Sequence, residues 1–185
     1  MNKENATKVR DYLKSKGLSK KEITALMANI AVESGYTFDF TKKQEGKRSD
    51  PAQGLFQFDP RDKGLLKIYK QYLTDKEKTD SMESQLDFMV DSLKGNYTKG
   101  TEHIGYGNVK KYNKLIKTGN AEDITQFFSN RILNPGKPHM DRRLQAAKDL
   151  MPMVYEEDKN QQAQVDPEIQ ERAAQVARTF PQAMQ

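Results

Sequence analysis

The chain has 185 residues, 35% of them hydrophobic and 31% charged, so it can form one compact core and little more. It contains no cysteine and only two histidines, which excludes disulfides and a thiol nucleophile and argues against a histidine-based metal site. The net charge of +5 permits an anionic partner, but basic pairs such as Lys110-Lys111 and Arg142-Arg143 are scattered among acids, which is typical of a solvated surface. We therefore expect no metal, no cofactor and no nucleic-acid partner.

The first two helices are predicted from hydrophobic spacing and from their ends. Val9 and Leu13 predict a short helix that ends at Gly17. Ser19 and Glu22 have the spacing of a capping box, so a second helix is expected to begin there. The apolar residues that recur at helical spacing along one stripe of it are Ile23, Leu26, Met27, Ile30 and Ala31. This helix runs out at Glu33-Ser34-Gly35, with the glycine as the expected cap.

Glu33 is the residue of this helix that could carry chemistry. Seven residues are close to two helical turns, so Glu33 lies nearly above Leu26, at the margin of the buried stripe. Partial burial and the negative end of the helix dipole both favour the neutral carboxyl group. A neutral carboxyl group is what a general acid requires. The alternative is an ordinary surface glutamate in the last turn, and position alone favours that alternative.

The rest of the chain predicts further helices. Tyr36 to Phe40 alternate as a strand does, which allows at most a small β-hairpin beside Glu33. After a loop at 54–60, helical stripes occupy 65–73, 82–93 behind an Asp80 cap, 109–116, 124–132 behind an Asn120 cap, and 144–150. The predicted fold class is mainly α. No stretch approaches the length of a membrane-spanning helix, and the N-terminus lacks the apolar core of a signal peptide, so we expect neither membrane insertion nor export by that route.

The C-terminal part differs in composition from the rest. Residues 156–165 are polar and predict a linker between a domain at 1–155 and a terminal helix at 166–185. Asp166 and Pro167 suit the first turn of that helix, which has one apolar face. The helix either folds back on the domain or docks on another protein, because a short amphipathic helix is marginal alone.

Two motifs carry a family resemblance. They are Glu33-Ser34 and, 21 residues after the glutamate (54 − 33), Gly54-Leu55-Phe56-Gln57-Phe58-Asp59-Pro60. Together they resemble the lysozyme-like superfamily, which includes goose-type lysozymes, soluble lytic transglycosylases and phage tail lysozymes. In those families a Glu-Ser pair ends a helix and a Gly-Leu-Met-Gln loop follows; here Phe56 replaces the methionine. Residues 18–35 are also similar to the opening of phage tail lysozymes, and residues 105–112 are more faintly similar to a later transglycosylase segment.

The resemblance implies a bilobal helical fold with a cleft for peptidoglycan, and cleavage of the β-1,4 bond between N-acetylmuramic acid and N-acetylglucosamine. Glu33 corresponds to the catalytic acid. Gln57 and Tyr106 are then expected to contact the substrate. Phe56 and Tyr36 are further candidates for sugar contact, although Tyr36 can equally fill the core.

Asp59 bears on which of two reactions the resemblance favours. Goose-type lysozymes have an aspartate in the loop that helps to position water, whereas transglycosylases usually have an apolar residue there and form an anhydro sugar. Asp59 therefore favours hydrolysis, in which a second carboxylate activates water. The alternative is that Asp59 caps a helix beginning at Pro60.

Three functional classes stay open: a muramidase, a lytic transglycosylase that uses Glu33 alone, and a non-catalytic structural protein of a virion. A wall-directed enzyme without its own export route must be delivered, and a phage delivers such enzymes from its particle or through a holin. We therefore predict a virion-associated protein that acts on the host wall in the periplasm. Its expected partners are peptidoglycan and, through the terminal helix, other virion or tail proteins.

Overall fold

The computed structural model describes residues 1–44, 51–61, 64–99, 106–133 and 137–155, without the side chains of residues 106 and 107. These residues form helices and turns and contain no strand, so the predicted mainly α class is confirmed. The helices are α1 Lys3–Ser15, α2 Lys20–Glu33, α3 Leu65–Asp75, α4 Met82–Lys94, α5 Tyr106–Thr118, α6 Ala121–Phe127, a π-helix at Phe128–Leu133, and α7 Met140–Tyr155. None of the described helices is long and apolar enough to cross a membrane. The predicted linker at 156–165 and helix at 166–185 lie outside the described residues.

Helix α2 is the central helix of the described fold. It packs against α1, α6, α7 and the π-helix, and every residue from Glu22 to Ala31 is buried. The predicted single stripe was therefore too narrow. Ala25 and Ala28 lie outside that stripe and are fully buried. Their small side chains allow the neighbouring helices to approach α2 closely.

The start of α2 is tied to α5 through its capping acid. Glu22 accepts hydrogen bonds from the Ser19 N–H at 2.8 Å and from the Ser19 hydroxyl at 2.6 Å, which confirms the predicted helix start. The other Glu22 oxygen accepts from the Tyr112 hydroxyl of α5 at 2.7 Å. Burial and the neighbouring carboxylate raise the pKa of Tyr112, so the phenol stays a donor to Glu22.

The end of α2 reverses the chain in a tight turn. The Tyr36 N–H donates to Ala31 O at 2.6 Å and the Gly35 N–H donates to Val32 O at 3.4 Å, the bond pattern of a Schellman cap. Gly35 has φ +62°, as this cap requires. Tyr36 and Phe38 also have positive φ, at 63° and 53°, so the segment predicted as strand-like forms turns instead. The described residues hold only two isolated β-bridges, Lys43 with Gln53 and Gln53 with Phe58.

The start of α4 differs by one residue from the prediction. Ser81, rather than Asp80, caps the helix, and its hydroxyl oxygen accepts from the Ser84 N–H at 3.1 Å. Asp80 instead accepts from the Tyr69 hydroxyl at 2.7 Å and from Gln85 Nε2 at 3.0 Å. Its carboxylate thus joins α3 to α4, because a tertiary partner competes with the local cap.

An aromatic cluster connects the loop at 54–58 with α3, α4 and the π-helix. Phe56 packs on Phe128 of the π-helix and on Phe58, with ring centroids 5.8 Å apart in both pairs. Phe58 continues the cluster to Tyr69 and Phe88 at 5.0 and 5.7 Å. The loop is therefore anchored from beneath by aromatic rings, which favours one fixed loop conformation.

Candidate active site

Glu33 lies at the edge of the core, as the last residue of α2. Its side chain is 16% exposed, so the partial burial expected from the helix pattern is confirmed. Oε1 of Glu33 accepts a hydrogen bond from Arg143 Nη2 at 2.6 Å. In the described part of the chain, Oε2 has no hydrogen-bond partner. The carboxyl group thus has one anchored oxygen and one unengaged oxygen.

Arg143 holds this carboxyl group from inside the core. Only 1% of its side chain is exposed. Besides Glu33, it donates from Nε to Pro138 O at 2.6 Å and from Nη1 to Asn29 Oδ1 at 2.8 Å. The scattered basic pairs predicted a solvated surface for Arg142-Arg143, which is wrong for Arg143. Neighbouring helical residues point about 100° apart, so Arg142 faces solvent while Arg143 faces α2.

Asn29 supports Arg143 from one helical turn before Glu33. It is fully buried and donates from Nδ2 to Ala25 O at 2.9 Å and to Thr125 O at 3.3 Å. These bonds orient the amide so that its oxygen faces the guanidinium. The site is thus a buried polar network that joins α2, α6 and α7, and such networks are stable only when each member is satisfied.

The charge environment of Glu33 includes a guanidinium that the helix pattern did not predict: Arg143 Nη2 lies 2.6 Å from Oε1. Arg131, in the π-helix, does not contribute to this environment: it is exposed and has no ion-pair partner among the residues described. The signal available in the sequence was Asn29, the one polar residue of the run at 25–32 and four positions before the acid.

Gln85 of α4 fixes the loop at 54–58. Its side chain is buried, and Oε1 accepts from the Leu55 N–H at 2.9 Å. Nε2 donates to Phe40 O at 3.0 Å as well as to Asp80. Gly54 has φ +84°, and a Cβ there would lie 2.5 Å from Gln85 Oε1. The glycine is therefore required both by the backbone conformation and by the close approach of Gln85.

The residues predicted to contact the substrate differ in how far their side chains are buried. Gln57 is half-buried and donates from Nε2 to Gly54 O at 2.9 Å and to Lys42 O at 3.2 Å. Its Oε1 has no partner within the described ranges. Phe56 is 2% exposed, so its ring supports the loop and offers almost no surface to a sugar, contrary to the expected contact. Tyr36 is half-buried against the core, and Tyr106 begins α5 with its side chain outside the described part.

Asp59 is an ion-pair partner rather than a helix cap. Its side chain is 33% exposed and accepts from Arg61 Nε at 2.9 and 2.7 Å and from the Arg61 N–H at 3.0 Å. The next helix, α3, begins at Leu65 with Gly64 as its N-cap, so the alternative of a helix starting at Pro60 is wrong. Hydrogen bonding to Asp59 raises the pKa of Arg61. The carboxylate is thus accessible but faces a permanent positive charge.

Comparison with known proteins identifies one family. The sequence model of the family described as phage tail lysozyme matches residues 4–154. The match runs from α1 to α7 and includes Glu33, Asp59 and Arg143. No curated protein showed significant similarity to the chain.

Proposed function

Because the chain belongs to the phage tail lysozyme family, we propose that it is a virion-associated muramidase that hydrolyses the β-1,4 bond between N-acetylmuramic acid and N-acetylglucosamine. The observation that carries this proposal is the position of Glu33 and the contacts of its carboxyl group. Its carboxyl group ends the central helix, is held through one oxygen by a buried guanidinium and keeps the other oxygen unengaged in the described structure. A half-buried acid of this kind suits a general acid in glycosidic cleavage.

The reaction begins with the proton of Glu33. The proton moves to the glycosidic oxygen, the bond from C1 to that oxygen breaks, and the electron pair leaves with the oxygen as the alcohol of the departing sugar. Positive charge develops at C1 and the ring oxygen. Water then adds to C1 and loses its proton to a carboxylate, so one water is consumed for each bond cut. General acid catalysis contributes about 10²–10⁴-fold in rate.

Asp59 is the proposed partner of that water. Its partly exposed carboxylate can accept a hydrogen bond from water while Arg61 restricts its orientation. In this proposal Asp59 positions the water and accepts the proton that the water loses. In the competing transglycosylase reaction, the C6 hydroxyl of the muramic acid attacks C1, no water enters, and Asp59 is dispensable.

We assign the substrate contacts around this centre to the loop and to the turn after α2. Gln57 Oε1 is suited to accept the N–H of an acetamido group, because Nε2 is already bound to the loop backbone. Tyr36 and Tyr106 are proposed to stack against sugar rings. Phe56 acts from beneath by holding the loop on Phe128.

Mass spectrometry of peptidoglycan digests tests the proposal. Reducing ends identify hydrolysis and anhydromuropeptides identify transglycosylation. Glu33→Gln is expected to abolish either product, whereas Glu4→Gln, at a side chain that is 76% exposed on α1, should behave as wild type. Asp59→Asn should reduce a hydrolase strongly and a transglycosylase little. Binding to peptidoglycan without turnover, unchanged by Glu33→Gln, would instead identify a structural virion protein.

A further inference from the structure

Arg143 contacts the carboxyl group of Glu33 at one oxygen only. A guanidinium group can form two parallel bonds with a carboxylate, and that arrangement is common when both are accessible. Here each nitrogen has a different acceptor: Nε bonds to Pro138 O, Nη1 bonds to Asn29 Oδ1, and Nη2 bonds to Glu33 Oε1. Nε and Nη1 are bonded to other acceptors, and among the described residues Glu33 Oε2 has no hydrogen bond to the guanidinium.

We propose that Arg143 is a positioning residue that assigns the catalytic proton to Oε2 of Glu33, an inference that rests on the proposed role of Glu33 as general acid. An oxygen that accepts an N–H from a guanidinium is a poor site for a proton, because the proton would face the positive N–H group. The neutral carboxyl group therefore carries its hydrogen on Oε2. That hydroxyl is the donor to the glycosidic oxygen, while Oε1 stays bound to Arg143.

The burial of Arg143 makes this assignment rigid. The side chain is 1% exposed and all three of its acceptors are protein groups. Its planar group has fixed donor directions, which bring the end of α2 and the start of α7 into a constant relation. A glutamate side chain has three rotatable bonds, and the contact at Oε1 restricts them. Restricting the acid before the substrate arrives lowers the entropic part of the barrier.

Steady-state kinetics on soluble peptidoglycan fragments test this role with three variants. Arg143→Ala removes the guanidinium, and Arg143→Lys keeps a cation that cannot bond all three acceptors at once. Arg142→Lys is the matched control on the exposed neighbour. We expect kcat to fall about 10- to 100-fold in both Arg143 variants with KM within about twofold, because a small misplacement of a catalytic group costs rate rather than binding. The control should keep the wild-type kcat.

Chemical rescue distinguishes positioning from a merely structural role. Millimolar guanidinium chloride added to Arg143→Ala should restore part of kcat, whereas equal concentrations of sodium chloride or urea should not. If Arg143→Ala does not fold, Arg143→Lys with wild-type circular dichroism supplies the kcat comparison. A folded Arg143→Lys with wild-type kcat, or a loss in Arg143→Ala that guanidinium does not relieve, overturns the inference. Activity retained by Glu33→Gln would refute the proposed function instead, so the two failures are distinguishable.

Discussion

At the scale of single residues, the site depends on which of two adjacent arginines is buried. Arg142 is exposed, whereas Arg143 is buried and bonded to the side chain of Asn29 and the carboxyl group of Glu33. A buried charge is costly unless it is paired and hydrogen-bonded. Glu33 supplies the opposite charge and each of the three Arg143 nitrogens has an acceptor, so stability and proposed function depend on the same contact.

The cost of breaking this contact can be measured at Glu33. Glu33→Ala should lower the free energy of unfolding by about 3–5 kcal/mol, because it leaves the Arg143 charge without its partner. Glu33→Gln keeps an oxygen that accepts from Arg143, so its loss should be smaller, about 1–3 kcal/mol. Urea unfolding followed by circular dichroism measures both. Equal losses in the two variants would contradict the importance of the acceptor.

At the scale of elements, the loop after Gln53 is held by buried contacts on two sides. Gln85 accepts from the Leu55 N–H, and the ring of Phe56 packs on Phe128. Most loops are mobile because their backbone groups bond to water. This loop instead bonds to a buried side-chain acceptor and packs on an aromatic ring, so it can present Gln57 in one orientation.

Two glycine substitutions distinguish the effect of backbone strain from the effect of a steric clash. In Gly35→Ala the added Cβ would contact only Lys42 Nζ, at 4.0 Å. The free energy of unfolding should therefore fall by about 1–2 kcal/mol, the cost of the left-handed conformation alone. Gly54→Ala has the same kind of strain and would also place Cβ 2.5 Å from Gln85 Oε1. We expect it to lower the thermal midpoint further and to reduce activity. An equal midpoint in the two variants would show that Gln85 moves aside freely.

At the scale of the whole molecule, Asp87 joins helix α4 to the segments that follow α1 and α3. It lies in α4 and is 9% exposed, and it pairs with Lys16 after α1 at 2.7 Å and with Lys78 after α3 at 2.5 Å. Burial acts to raise the pKa of Asp87, but the bonds from Lys16 and Lys78 lower it overall. The same contacts raise the pKa of Lys16 to about 12.

The pH dependence of stability follows from these shifts. Because the pKa of Asp87 is lower in the folded protein than the ordinary value of 3.8, its contribution is present above that value and is lost as the pH falls through the folded pKa. Unfolding free energy should therefore decline below about pH 4. Asp87→Asn should be less stable at neutral pH and show a shallower acid decline. Asp11→Asn, at an aspartate that is 54% exposed, serves as the control and should retain the wild-type profile.

Deletion from residue 156 onward distinguishes the two arrangements predicted for the terminal helix. If residues 166–185 dock on another virion protein, the protein truncated after Tyr155 should fold, cut peptidoglycan at the wild-type rate and be absent from purified virions. If they pack on the domain, truncation should lower the thermal midpoint. A truncated protein that does not fold would reject the docking role.

Local sequence patterns were sufficient to predict the helical fold and the position of Glu33 at the end of α2. Helical periodicity and caps depend on residues within about four positions of each other, so Ser19, Glu22, Gly35 and Asn120 could be assigned without coordinates. One wrong prediction near the site also came from a local pattern. The alternation at Tyr36 to Phe40 had the period of a strand, but positive φ values and the Ser34 hydroxyl bond to the Phe38 N–H make it a series of turns.

The contact that holds Glu33 depends on helices that are distant in sequence and could not be predicted from local patterns. Arg143 is 110 residues away in the chain; its helical spacing to Ala147 and Leu150 places it on the apolar face of α7, but no local signal identifies its partner. Asp80 and Phe56 were likewise reassigned, because partners on other helices compete with the cap and with the substrate surface. A residue's local pattern sets its helix and its face. Which charge meets which carboxyl group is set by the packing of helices that are distant in sequence, and no periodic signal encodes that meeting.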